Sequence, residues 1–215
     1  MLNGMYISRS VGCAALKPAC IIRPANTAEM ATVVRVLNQN NETFTVKSGG
    51  HNPNQNFSSI DGGPLVSTAD LNEVIYDEAS MTVRVGPGNR WEDVHKVLDG
   101  TGATVVGGRI GNVGVGGYIL GGQCFSRDVI KIGRLSSIHL PGGLSFLSAE
   151  YGWAANNVVE FELVLSNATV VTASSTTNSD LWKALKGGGG NFGIVTSYTL
   201  QARPIGQVCT KGSVK

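Results

Sequence analysis

Glycine placement constrains this chain more than any other feature. Twenty-nine of its 215 residues are glycine, gathered in four runs without a collagen-like period. They mark tight backbone sites in a folded domain rather than a fibre or a linker. Consecutive glycines in residues 48–50, 114–122 and 187–190 can turn their backbone N–H groups toward one anion. Such a nest suits pyrophosphate and needs no cationic side chain. For any single run taken alone, turn making is the simpler account. Gly188, Gly190 and Gly193 satisfy GxGxxG, but a dinucleotide fingerprint needs a strand before the glycines and a helix after them. The order predicted here is helix, glycines, strand, and no GxxxxGK[ST] motif occurs.

That order comes from periodicity. Asn26 and Glu29 read as a capping box, and Met30, Val33, Val34 and Leu37 then recur at helical spacing until Asn40 and Asn41. Residues 44–47 and 81–85 read as short strands, with a further short strand near Leu65. Residues 90–98 place Trp91, Val94 and Leu98 on one helical face. Residues 158–165 and 169–173 predict a hairpin around a three-residue loop, and a short helix over 179–185 leads through four glycines into a strand over 193–200. Helices and short strands are mixed without an internal repeat, which gives an α+β class.

Composition removes several functions. A net charge of +2, with no basic stripe interleaved with aromatics, gives no basis for nucleic-acid binding. No apolar run is long enough for a membrane span, and residues 1–20 lack the order of a signal peptide. Sequons at Asn41, Asn56 and Asn167 lean toward export, so localisation stays open. Cys13, Cys20, Cys124 and Cys209 form no CxxC pair and no metal-ligand spacing with histidine, so no metal site is expected. Cys13 and Cys20 could be disulfide-bonded or remain buried thiols.

Five segments in order resemble the FAD-binding, PCMH-type domain of the vanillyl-alcohol oxidase and berberine-bridge-enzyme-like flavoproteins, the fungal members most of all. They are "PACIIRPANTAEMATVVRVLNQNNETFTVKSGGHN", "SSIDGGPLVSTADLN", "VGVGGYILGG", "GLSFLSAEYGWAANNVVEFELVLSNATVV" and "LWKALKGGGGNFGIVTSYTL". The resemblance implies two α+β subdomains, a small mixed sheet and an antiparallel sheet with flanking helices. These would span about residues 20–80 and 81–205, after an N-terminal segment 1–19 and before a tail 206–215. It implies FAD as cofactor, with Lys47, Ser48, Gly49, Gly50, His51 and Asn52 in the pyrophosphate loop and His51 at the position commonly tethered to the flavin. Val113, Gly114, Gly116, Gly117 and Gly121 would line pyrophosphate and flavin, and Asn157, Val158, Gly193, Ile194 and Val195 would sit beside the dinucleotide. Tyr151 and Trp153 would flank the flavin or pack in the core, whereas His95 is expected to be a packing or surface residue. The second tether of many members is a cysteine; that position is Ile110 here, so one covalent link at most is expected. The activity implied is oxidation of a small organic substrate, an alcohol, sugar or alkaloid-like compound, with hydride transfer to FAD and reoxidation by oxygen.

Two departures qualify that expectation. Residues 123–142 interrupt the pattern, and removing them yields "GGYILGGGLSFLSAEYGW", an unbroken family-like match. Arg127, Lys131 and Arg134 against Asp128 give this insert the whole net charge of the chain, and its Gly-Gln and Pro-Gly edges suit splice boundaries, so it reads either as a retained intron or as a genuine surface loop, which costs little closure entropy. The family also continues into a substrate domain, which is expected to be absent here, leaving no catalytic base assignable. A truncated, inactive product and a cofactor-free binding module are the competing readings. Flavin content and thermal melting discriminate them.

Overall fold

A computed structural model describes residues 11–52, 57–121 and 143–205. The insert 123–142, the tail and Asn56 lie outside the described residues. In chain order the elements are α1 (Val11–Ala14), β1 (Cys20–Ile22), α2 (Thr27–Gln39), β2 (Thr45–Lys47), β3 (Pro64–Ser67), β4 (Val74–Asp77), β5 (Thr82–Val85), α3 (Trp91–Leu98) and β6 (Ala103–Val105). They continue with α4 (Val115–Gly121), α5 (Ser148–Tyr151), a 3-10 turn (Ala154–Asn157), β7 (Val158–Val164), β8 (Val170–Ser174), α6 (Ser179–Leu185) and β9 (Ile194–Pro204).

Two sheets organise them. The smaller, ordered β1-β3-β2, is wholly parallel rather than mixed as expected. Its strands are separated by α2 and by the long segment after β2, and connections of that length permit a parallel return. The larger sheet is antiparallel, ordered β4-β5-β9-β7-β8, with β6 pairing the far end of β9. The change of sheet falls between Ser67 and Val74 rather than near residue 80, because the tight turn from Asp77 to Thr82 makes β4 the hairpin partner of β5.

Asn26 caps α2 as expected, but the reciprocal half of the box shifts to the residue before the cap. Asn26 accepts from the Glu29 amide at 2.9 Å, and the Glu29 carboxylate reaches back to the Ala25 amide at 2.8 Å. Its apolar face, Met30, Ala31, Val34 and Leu37, packs with Val66 and Leu71 of the parallel lobe and with Val164 and Ala168 of the hairpin. One amphipathic helix therefore glues the two sheets. The hairpin loop ends at Ala168, whose φ of 64° occupies the left-handed position a three-residue loop requires. The main core lies on the other face of the large sheet, where Val83, Phe161, Tyr198 and Leu200 meet Trp91, Val94 and Leu98 of α3, Ile119 of α4 and Leu185 of α6.

Cys13 is buried, Cys20 is exposed, and no disulfide joins them. Among the described residues, no cluster of metal-ligating side chains occurs and no helix is long and apolar enough to cross a membrane.

Candidate cofactor site

The structure revises the central glycine run first. Residues from Val115 onward form a helix, α4, not an open nest, although three of its seven residues are glycine. Glycine costs about 1 kcal/mol against alanine in a helix interior, so other contacts must hold it. Its first amide, Val115 N–H, donates to the Asn89 carbonyl at 3.0 Å, and the Gly116 carbonyl accepts from the buried Tyr198 hydroxyl at 3.3 Å. The Tyr118 hydroxyl donates to the Leu144 carbonyl, and the Leu120 carbonyl accepts from Gly189 N–H at 3.0 Å. Burial pushes the Tyr118 phenol far above its ordinary range, keeping it a neutral donor.

The N-terminus of α4 meets the loop that follows β2. A Cβ built on Gly49 would lie 2.7 Å from both the Cα and the N of Gly114, and one built on Gly114 would lie 2.6 Å from the Gly49 Cα. A Cβ on Gly116 would meet the Ser48 Oγ at 2.9 Å. Neither Gly49 nor Gly114 has a positive φ, so space alone demands glycine there; Gly50, at φ 66°, is the turn glycine. Two backbones 65 residues apart in sequence thus touch without side chains between them. Gly117 and Gly121, four residues apart on α4, have nothing within 4 Å of a built Cβ among the described residues. Among the described residues, the helix presents one face that is filled by protein and one that is open.

The charges are positive. Lys47, buried at the end of β2, has its ammonium held below the ordinary range by desolvation and then by the Arg90 charge, with Cys13 opposing. An anion at this contact would relieve both penalties. His51 is half-buried with its Nε2 shielded from solvent, and Asn52 is exposed. Val113 is buried and its carbonyl accepts from Trp91 N–H at 3.1 Å. Two glycine backbones in direct contact at a helix entrance, with Lys47 two residues before Gly49 and the Arg90 charge acting on it, are compatible with a dinucleotide pyrophosphate lying against them.

The remaining predicted residues are spread along the fold. Asn157 has its side chain committed inside the protein, donating to the Tyr151 and Trp153 carbonyls at 2.9 Å each and accepting from Arg203 at 2.9 Å. Arg203 also lies 4.5 Å from the Tyr151 ring centroid, so that ring packs on a cation. Val158 pairs with Leu200, whereas Val195 and Ile194 pair with Leu163 and Val164. Those two groups stand at opposite ends of one ladder, roughly 17 Å apart at the strand rise per residue. Gly193 abuts the Val164 carbonyl, 2.8 Å from a built Cβ. The α4 helix and its entrance collect Ser48 and Gly49, the 154–157 turn and Gly189; Gly193, Ile194 and Val195 lie beside the end of β7.

Sequence reading missed two buried polar residues, the first of them beside the contact. Asn89 is 5% exposed and bridges to α4, and Ser59 is 4% exposed with no partner for its Oγ among the described residues. Neither belongs to a glycine run, and Asn89 follows the Gly86-Pro87-Gly88 stretch without a motif of its own. His95 packs beside Trp91, with ring centroids 6.3 Å apart, as expected of a packing residue.

Comparison with known proteins matches residues 18–131, more than half of the chain, to the FAD binding domain family. An uncharacterized FAD-linked oxidoreductase of Arthroderma benhamiae is 48% identical over 89% of this chain and 35% of its own length. The FAD-dependent monooxygenase prx3 of Penicillium roqueforti is 42% identical over 85% of this chain and 32% of its own. The glucooligosaccharide oxidase of Acremonium strictum, described with a 6-S-cysteinyl, 8α-N1-histidyl FAD, superposes with a TM-score of 0.74 at 25% identity, covering 92% of this chain and 37% of that one. The chain spans about a third of the length of the curated relatives it matches.

Proposed function

The chain belongs to the FAD binding domain family, and on that footing we propose that the Gly49–Gly114 contact is its FAD cradle, in an oxidoreductase acting on a small organic substrate. The observation that carries this reading is the side-chain-free backbone contact between the residue 48–50 loop and the start of α4, beside the Lys47 and Arg90 cations. Ser48, Gly49, Gly50, Gly114 and Gly116 would hold the pyrophosphate. Gly117 and Gly121 would give the flavin an open helical face, and Asn157, Val158, Gly193, Ile194 and Val195 would border an elongated dinucleotide.

Bound FAD would accept a hydride from the alcohol, sugar or alkaloid-like substrate and pass electrons to oxygen. The residues here orient and anchor. Lys47 would complement phosphate charge, and the phosphate would in turn favour its ammonium. His51, at the end of the pyrophosphate loop, would carry a single covalent link, as the histidyl FAD of the glucooligosaccharide oxidase suggests. Ile110, half-exposed ahead of α4, cannot supply a cysteinyl bond. The base that takes the substrate proton has no candidate among these residues.

The test is the visible spectrum of the chain supplied with FAD, repeated on the acid-precipitated pellet. Flavin retained in the pellet and lost from it in His51→Ala supports tethering. A colourless native protein overturns the cradle. Peroxide released per substrate oxidised separates oxidase chemistry from oxygen insertion, the activity in the name of the Penicillium relative.

A further inference from the structure

The segment between β5 and α3 touches both halves of the cradle. The Pro87 carbonyl accepts from the Ser48 hydroxyl at 2.6 Å, and two residues later the Asn89 carbonyl accepts from Val115 N–H at 3.0 Å. One short loop therefore holds the first glycine segment with one carbonyl and the second with another. It has little freedom of its own. Gly88 N–H donates to the Leu71 carbonyl at 2.9 Å, and a Cβ on Gly88 would lie 2.9 Å from the Ala69 and Leu71 carbonyls. Arg90 continues the bracket, its guanidinium donating to the Asn112 carbonyl and its amide to Asp93 Oδ2 at 3.1 Å.

Asn89 fixes this loop. Its Nδ2 donates to the Glu73 carbonyl at 3.0 Å and to the Gly86 carbonyl at 3.1 Å, spanning the entry to β4 and the exit from β5. A polar side chain this buried is retained where its hydrogen bonds are satisfied, and removing it takes the second donor from two carbonyls that each keep one backbone donor, Gly86 N–H on Glu73 at 2.9 Å and Asn89 N–H on Gly86 at 3.3 Å, and so unties the Asn89 side chain from both strands. We infer that Asn89 is a positioning residue for FAD: by locking the loop whose carbonyls hold Ser48 and Val115, it sets the spacing of the two glycine backbones. This rests on reading the Gly49–Gly114 contact as the FAD cradle. Small misplacements of a preorganised site cost much of its binding.

The experiment compares wild type, Asn89→Ala and Asn89→Asp in the full chain, measuring FAD affinity by flavin fluorescence, the visible circular dichroism of bound flavin, and apo-protein melting. Both variants should bind FAD at least tenfold more weakly, with altered flavin dichroism, because the Asp variant keeps the size but loses the donor. A merely structural residue would lower the melting temperature and leave affinity and dichroism at wild-type values, and that result overturns the inference. Should neither variant fold, amide exchange on the wild type decides: Val115 N–H should exchange more slowly with FAD bound, and an unchanged rate overturns the proposal. A wild type that binds no FAD instead overturns the cradle reading, and the positioning role falls with it.

Discussion

Helices α2 and α4 are built on opposite terms. The first has 13 residues, an asparagine cap, an acidic residue in its first turn and an apolar stripe; it follows local rules throughout. The second has seven residues, three glycines and no acidic residue in its first turn. It persists because the Asn89 carbonyl, the Tyr198 hydroxyl, the Leu144 carbonyl and the Gly189 amide each hold it from outside. The difference teaches that glycine at the entrance to α4 and within it serves the neighbours, at Gly114 and Gly116 by letting the residue 48–49 segment approach and at Gly117 and Gly121 by leaving a face bare among the described residues.

The contrast breaks most sharply at the α4 entrance. Gly114→Ala places a methyl against immovable Gly49 backbone and should cost about 1–3 kcal/mol in urea unfolding, as core overpacking does. Flavin affinity should fall with it. At α2, Asn26→Ala removes the cap and should cost about 1 kcal/mol while leaving flavin affinity intact, which separates ordinary helix stability from site geometry.

The open face sharpens the comparison in the other direction. Gly117→Ala and Gly121→Ala should each stabilise the apo protein by about 0.5–1 kcal/mol, yet weaken FAD binding if that face receives the flavin. Stabilisation with unchanged affinity would show that the flavin lies elsewhere. The smallest effect concerns α3, which bridges the two cases. Burial holds the His95 imidazole below its ordinary 6.5, so the unfolded chain takes up the proton first as pH falls. Stability is therefore lost as pH drops through 6.5 toward the folded value, and urea midpoints on either side of 6.5 should differ less in His95→Gln than in the wild type.

How much was legible follows the same division. Periodicity located α2, α3, α6 and the β7–β8 hairpin because each carries its own apolar pattern and terminators. It missed β1 and β6, three-residue strands whose pairing partners are remote in sequence, and β4, whose four residues are too few to establish a period although its hairpin partner β5 follows directly. The His51 loop and the glycine runs were visible as motifs, whereas Asn89 was not, because its importance lies in two carbonyls and one amide from separate segments.

By itself the sequence determined the helices and hairpin that satisfy their own hydrogen bonds and display a consistent apolar face, together with the ordered motifs that mark an FAD-binding domain. Tertiary structure decided that residues 115–121 are helical, that the small sheet is parallel, and that Gly49 rests on Gly114. Those outcomes depend on hydrogen bonds and exclusion between segments dozens of residues apart, and no local pattern records which distant backbone will occupy the space a glycine leaves empty.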